Sequence, residues 1–300
     1  MTEQLTTFLD NNKIEYKLSE PMKAHTTFKI GGAADIYIVV NSLKELKVVI
    51  EELKKSDVPY MILGKGSNLL VSDEGIEGAV VELSGDFKEI SLEGYNITCG
   101  AGVTLSKLCT VALDHSLSGL EFAYGIPGSV GGAVYMNAGA YGGETKDVIK
   151  EVIFLDKSGE VVTYSSEQSQ FSYRHSVFKE NNGIILFAKY RLVKDDPAAI
   201  KERMDDFMDR RRTKQPLEFP SAGSVFKRPE GAFAGTLIEQ CGHKGKTVGG
   251  AQVSKKHAGF IINVGDATCD DVMDLVKIIQ DTVKAKTGYT LERELIRTGR

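Results

Sequence analysis

Between residues 125 and 143 the chain reads Gly-Ile-Pro-Gly-Ser-Val-Gly-Gly-Ala-Val-Tyr-Met-Asn-Ala-Gly-Ala-Tyr-Gly-Gly. No other stretch limits the fold so strongly. It is too apolar for a flexible linker and too rich in glycine for an ordinary helix, so it must pack around something. The chain as a whole has 31 glycines in 300 residues, above the usual ~7%. They are unevenly spread: eighteen fall between Gly31 and Gly143, and only Gly159 and Gly183 between residues 144 and 222. Glycine gathered in one half points to backbone that turns sharply or lies close to a ligand.

Several classes are excluded early. Thirty-seven Lys and Arg against 41 Asp and Glu leave a net charge of -4, which argues against a general nucleic-acid binder. Cys99, Cys109, Cys241 and Cys269 have no CxxC spacing and no nearby histidine partners, so neither a zinc site nor a disulfide framework is expected, and no metal is assigned. The first residues carry no basic and apolar leader, and no apolar run reaches the ~20 residues of a membrane span. The expected setting is a reduced, soluble, cytoplasmic protein. The length suggests two domains.

Strand and helix patterns alternate through the first 120 residues, as in α/β patterning. Strands are expected at 35–40, 60–63, 79–83 and 96–99. Ser42 and Glu45 form a capping box ahead of a helix with Leu43, Leu46, Val49, Ile50 and Leu53 on one face. Thr104 is expected to cap a helix running to His115. Antiparallel strands follow at 148–155, 160–164 and 184–192, with a turn at 156–159. Pro197 to Thr213 reads as a charged connecting helix. The last 80 residues read as a compact α+β unit: a short helix 233–241, a strand 260–263, a helix 270–287 stopped by Gly288, and a terminal strand 289–296. In that strand Glu292 and Glu294 share one face, opposite Leu291, Arg293 and Leu295.

Gly64-Lys65-Gly66-Ser67-Asn68 directly follows a strand. Its small residues allow successive N–H groups to converge on an anion, with Ser67 and Asn68 adding donors. It matches neither a Walker A loop nor a dinucleotide fingerprint, since Leu69 stands at the third glycine position. From the pattern alone, a phosphate cradle and a plain strand–turn both stay open. Four further segments hold chemistry-bearing residues: Ser172 to Phe178, Ser221 to Pro229, Ser254 to Phe260 and Leu291 to Leu295. No GxSxG elbow, HExxH or metal cluster accompanies them, so hydrolase and metalloenzyme readings have no residues behind them.

Taken together and in order, Leu63-Gly-Lys-Gly-Ser-Asn-Leu-Leu-Val-Ser-Asp73, Gly125-Ile-Pro-Gly-Ser-Val-Gly-Gly132, Tyr173-Arg174, Gly223-Ser-Val-Phe-Lys227 and Leu291-Glu-Arg-Glu294 resemble the UDP-N-acetylenolpyruvoylglucosamine reductase (MurB) family of flavoproteins. The resemblance runs from about residue 20 to the C-terminus and looks like the shorter of two family forms. It implies an α+β fold: a two-part FAD-binding domain of the vanillyl-alcohol-oxidase/PCMH type and a C-terminal α+β substrate-binding domain. The implied division is 1–194 for FAD (subdomains 20–100 and 101–194), 195–213 as connecting helix, and 214–300 for substrate.

The resemblance also implies roles. Gly64, Lys65, Gly66, Ser67 and Asn68 match the loop that holds the FAD pyrophosphate. Gly125, Ile126, Pro127, Gly128, Ser129, Gly131 and Gly132, with Asn137, Ala138, Gly139 and Tyr141, match the strip packed on the flavin ring and ribityl. Its glycines fit because a side chain would hold the backbone off the ring. No His or Cys lies in 64–73, so FAD is expected to be non-covalent, with NADPH as co-substrate. Arg174, Ser224 and Glu294 match the catalytic residues: Arg174 for a carboxylate, Glu294 protonated by burial, and Ser224 as proton donor. Tyr173, Lys227, Arg228, Lys246 and His257 are the substrate-binding candidates, although Arg228 stands where some members carry a neutral side chain. The implied activity is reduction of UDP-N-acetylglucosamine enolpyruvate to UDP-N-acetylmuramate in peptidoglycan synthesis, with a small nucleotide sugar as partner and neither a nucleic acid nor a membrane; the oligomeric state stays open, a monomer being favoured. The alternatives are another flavin oxidase on the same FAD fold and a non-catalytic nucleotide-sugar binder.

Overall fold

The structure, a computed structural model, describes residues 2–300. It divides into two compact units. One holds residues up to Tyr16, Ile38–Lys65 and Val80–Arg211; the other holds Lys17–Tyr37, Gly66–Ala79 and Arg212–Arg300.

The first unit is built on a five-stranded sheet in the order Val161–Ser165, Ile149–Leu155, Ile184–Arg191, Asn96–Gly100, Ile90–Glu93. Every neighbour in it is antiparallel. Asp156 makes the turn at 156–159 by accepting from the N–H groups of Ser158 and Glu160. Phe154 anchors the core, edge-on to Tyr164 and Phe178 at 4.7 and 5.0 Å. The helix Leu105–Asp114 starts at Thr104, whose hydroxyl accepts from Lys107, and buries Leu105, Leu108, Cys109 and Ala112. The helix Leu43–Lys55 starts at Ser42 and buries Leu46, Val49, Ile50 and Leu53. One detail differs from the expected capping box. Glu45 reaches back to the N–H of Asn41 at 2.7 Å, one residue earlier than the pattern implies.

In the second unit, the sheet runs Ser221–Ser224, Phe260–Asn263, Ala251–Val253, Thr247–Val248. Its cover is the helix Cys269–Thr287, which buries Val272, Leu275, Val276, Ile279 and Val283 and stops at Gly288, φ 79°. The shorter helix Ala234–Gln240 adds Leu237 and Ile238. Phe28, Ile30 and Leu70 join this core from far back in the sequence.

Two expectations are corrected. The terminal strand spans Ile296–Thr298, not 289–296, and pairs parallel with Leu69–Val71. Residues 289–295 form no regular strand: the N–H groups of Glu294 and Leu295 both go to the Val225 carbonyl, which breaks the two-residue alternation. Leu291 and Leu295 are buried, whereas Arg293 is exposed. The glycine-rich stretch, read as non-helical, does contain a helix, Val130–Met136. Its glycines sit where close packing needs them: a Cβ on Gly131 would lie 2.9 Å from that of Ala101. Tertiary packing outweighs the propensity penalty there.

Candidate functional site

The loop at 64–68 leaves the strand Tyr60–Leu63. Gly66 is buried with φ 57°, and a side chain on it would strike the His25 carbonyl at 2.3 Å, so only glycine fits. The backbone N–H groups of Lys65, Gly66, Ser67 and Asn68 donate to no acceptor among the described residues. Only one of these four consecutive donors, that of Gly66, belongs to a buried residue. Of the two readings that the pattern left open, these free donors are what a phosphate cradle would need.

In the first unit, the start of that loop approaches the glycine strip. A Cβ on Gly64 would stand 2.4 Å from the Ser129 hydroxyl, which also caps the helix Val130–Met136 through Gly132. Gly128 and Val130 are pinned to the chain at 103–105, since Leu105 donates to the Gly128 carbonyl and Val130 to that of Val103. Gly131, Gly139 and Gly143 are required by the protein's own packing: their missing side chains admit Ala101, Gly143 with Glu144, and the Phe122 ring. Gly132 is different, exposed and facing only the Ser129 hydroxyl at 3.4 Å. Gly125 packs on the Arg211 side chain, 3.0 Å from Cδ. Ile126, Gly128 and Ala138 are half-buried and Pro127 is exposed along the same strip. Tyr141, φ 53°, stacks on Phe207 with centroids 4.8 Å apart and planes 2° from parallel. Burial pushes its hydroxyl pKa up and lowers that of Arg211.

Asn137 closes the strip. Fully buried and left-handed at φ 44°, it donates from Nδ2 to the Ser172 carbonyl (2.9 Å) and to Glu144 (3.1 Å), and its Oδ1 accepts from the Lys146 N–H (3.0 Å). It thereby holds the turn that carries Tyr173 and Arg174. That turn is closed by two bonds of 3.1 Å between the backbones of Ser172 and His175. Arg174 sits at φ 56°, a strained value for arginine, with Lys179 donating to its carbonyl at 2.8 Å. Its guanidinium reaches the Gly139 carbonyl (3.3 Å) and lies 4.9 Å from the Tyr173 ring centre.

Three separate segments meet in the second unit. Gly223, φ 77°, breaks the register between Ser221–Ser224 and Phe260–Asn263 and so presents Ser224, whose hydroxyl donates to the Phe226 carbonyl at 3.2 Å. Val225 donates to Gly259 (2.9 Å), and its carbonyl accepts from Glu294 (2.8 Å). Glu294, half-buried, is held on its other side by Asn68, whose Nδ2 donates to the Glu294 carbonyl at 3.1 Å. The segments that carry Ser224 and Glu294 are thus joined by backbone at the carbonyl of Val225, which follows Ser224 and accepts from the Glu294 N–H. His257 flanks Ser224 across Gly259, where an added Cβ would be 3.0 Å from the imidazole and 3.6 Å from the hydroxyl. Burial lowers the His257 pKa, with Lys244 reinforcing it. Lys227 pairs with Glu292 at 3.1 Å, and Arg228 stacks on the exposed Phe233 ring at 4.0 Å. Lys246 is exposed just before Thr247–Val248.

Sequence reasoning missed several supports. His25 and Thr27 lie under the loop, with Thr27 donating to the Gly66 carbonyl; the His25 ring itself is taken up by Glu20 (2.8 Å) and Tyr37. Asp73 accepts from Cys269 and Asp270 at the start of the long C-terminal helix. No local pattern marks such distant contacts. The four cysteines are buried and free, and burial pushes the Cys99 thiol up to about 12.

A family model described as FAD binding domain matches residues 34–165, and one described as UDP-N-acetylenolpyruvoylglucosamine reductase, C-terminal domain, matches 215–298. The UDP-N-acetylenolpyruvoylglucosamine reductase of Syntrophomonas wolfei is 47% identical over 98% of this chain and 98% of its own length. That of Caldanaerobacter subterraneus is 48% identical over 98% and 97%. The chain belongs to the UDP-N-acetylenolpyruvoylglucosamine reductase family. The crystal structure of the Thermus caldophilus reductase (MurB) superposes with a TM-score of 0.82 at 36% identity, covering 95% of this chain and 98% of that one. A berberine-bridge-enzyme-like protein of Physcomitrella patens shares the fold at a TM-score of 0.50 and 14% identity, over 96% of this chain and 61% of its own. The family reading made on the motifs is borne out, and so is the fold class: α+β, with an FAD-binding domain of the vanillyl-alcohol-oxidase/PCMH type followed by the family's C-terminal domain. The chain is an oxidoreductase, a flavoprotein whose cofactor is FAD. Among the described residues, no helix is long and apolar enough to cross a membrane.

Proposed function

We propose that this protein uses NADPH to reduce the enolpyruvyl ether of UDP-N-acetylglucosamine to UDP-N-acetylmuramate, at the cytoplasmic stage of peptidoglycan synthesis. The observation that carries this reading is the backbone bond that ties the Glu294 segment to Val225, next to Ser224, within the segment matched by the family's C-terminal model.

The unpaired N–H groups of residues 65–68 suit the FAD pyrophosphate, and the strip 125–141 suits the ring and ribityl. With no ring nitrogen or thiol supplied by residues 64–73, attachment is non-covalent. FAD held there would supply the hydride chemistry that links NADPH to the methylene carbon of the ether. Negative charge then develops on the neighbouring carbon and its carboxylate. Arg174, fixed by its strained turn, offers a planar fork to that carboxylate. Glu294 stabilises the same charge by donating a hydrogen bond, which requires its carboxyl to be protonated. Ser224 gives its hydroxyl proton to the α-carbon and regains one from water. An alcohol is a weak acid, but a developing carbanion is a strong base, and correct placement lowers the barrier more than acidity does. Lys227 and Arg228 take the substrate diphosphate, with Tyr173, Lys246 and His257 at its margins. The neutral form of His257 favours a hydrogen-bonding role over a charge. Residues 1–194, including subdomains 20–100 and 101–194, serve FAD; 195–213 connect; 214–300 bind the nucleotide sugar, in a monomer.

NADPH consumption tests the proposal. It should depend on the enolpyruvyl sugar and yield UDP-N-acetylmuramate one for one. Equal consumption without the sugar favours a different flavin oxidase, and nucleotide-sugar binding by flavin-free protein favours a non-catalytic role.

A further inference from the structure

Each proposed cofactor motif contains an asparagine whose side chain is spent on the backbone of a catalytic segment. In the second unit Asn68 belongs to the loop that cradles the pyrophosphate. Its Nδ2 donates to the Glu294 carbonyl at 3.1 Å, and its own carbonyl accepts from Ile296 at 3.0 Å, so residues 294–296 are clamped at both ends. In the first unit Asn137 closes the glycine strip, and its Nδ2 donates at 2.9 Å to the Ser172 carbonyl, two residues before Arg174. Both catalytic segments need such a clamp. Residues 289–295 form no regular strand, and Arg174 sits in a left-handed conformation that an arginine leaves readily without support.

We propose that Asn68 and Asn137 are positioning residues that fix Glu294 and Arg174, respectively, to the two cofactor-binding motifs, so that the parts holding FAD also set the groups that receive the substrate's developing charge. Neither side chain needs to touch the reacting atoms. The inference rests on the functional reading above for its kinetic arm and is independent of it for its structural arm.

The structural arm is hydrogen exchange on the flavin-loaded protein. In Asn68→Asp, which keeps the shape but removes the donor, exchange at Glu294 and Ile296 should rise about tenfold, as expected for loss of one net hydrogen bond. The helix 269–287 should be unchanged. Asn137→Gly keeps the left-handed backbone accessible while removing all three side-chain bonds, and should accelerate Ser172 and His175 similarly. Unchanged exchange at these amides overturns the clamps.

The kinetic arm separates the two half-reactions. Reoxidation of the NADPH-reduced enzyme by the enolpyruvyl sugar should slow about 10- to 100-fold in either variant, the scale of a small misplacement, and by more than flavin reduction slows. In a Glu294→Gln background, Asn68→Asp should add almost nothing, because both changes act on one group. Equal slowing of both half-reactions, full additivity, or loss of flavin from both Asn68→Asp and the milder Asn68→Ser overturns the proposal, since each makes Asn68 a plain cofactor or folding residue. Wild-type protein that fails to reoxidise with the sugar refutes the functional reading instead, and leaves the exchange result to decide the clamps.

Discussion

The glycine strip of the first unit and the 291–296 segment of the second both carry candidate site residues, yet they are held in opposite ways. The strip is fixed by absent side chains: Gly131, Gly139 and Gly143 let neighbouring atoms approach to distances that a Cβ would block. The 291–296 segment contains no glycine and is fixed by bonds to its backbone, from Val225, Asn68 and, through Gln280 at 2.7 Å, at Leu291. The strip is shaped by removing atoms. The segment that carries Glu294 is shaped by pinning its backbone. The first device leaves a mark in composition; the second leaves none.

The sharpest way to break this contrast is at the polar end. Ser224→Ala should leave flavin reduction by NADPH almost intact and slow reoxidation by the enolpyruvyl sugar by about 10²–10⁴-fold, the usual share of a positioned proton donor. Unchanged reoxidation in stopped-flow absorbance removes Ser224 from that role. At the glycine end, a pair of variants separates packing from ligand contact. Gly131→Ala must push on Ala101 and should cost about 1–3 kcal/mol in denaturant unfolding. Gly132→Ala meets only the Ser129 hydroxyl at 3.4 Å and lies in a helix, so the fold should gain about 0.5–1 kcal/mol. Flavin affinity should nonetheless fall in Gly132→Ala, because the added methyl lies on the open side of the strip. An unaltered flavin affinity would show that this side of the helix does not face the cofactor.

The smallest expected effect is in pH dependence. Burial lowers the pKa of His243 and of His257, each with lysines nearby. The unfolded chain therefore takes up protons below about pH 6.5 that the folded chain refuses, and stability falls as pH drops through that range. The unfolding midpoint should be lower at pH 5.5 than at pH 7.5, and His243→Gln should flatten the difference. An unchanged slope in that variant would assign it to other groups.

The sequence made much of the fold legible because local signals agreed with the tertiary result. Ser42, Thr104 and Gly288 mark helix ends that the structure keeps, and the strands around Asp156–Gly159 pair as their alternation implies. It misled where a distant partner overrode the local pattern. The alternation at 289–296 reads as a strand, but Val225 accepts from two successive N–H groups there and spoils it. Val130–Met136 folds as a helix despite its glycines, because Ala101 demands a bare backbone. For the site, glycine clustering flagged a ligand without naming it. Arg174, Ser224 and Glu294 were identifiable only through the ordered family motifs, since a lone polar residue is most often simply solvated. Asn68 and Asn137 were visible as members of those motifs, but their bonds to residues 226 and 35 positions away were not.

A single-turnover experiment at the visible flavin band tests the central claim most directly. Under anaerobic conditions, NADPH should bleach the band of the purified protein, and a stoichiometric addition of UDP-N-acetylglucosamine enolpyruvate should restore it while forming UDP-N-acetylmuramate. A band that NADPH cannot bleach, or that stays bleached after the sugar is added, would contradict the account.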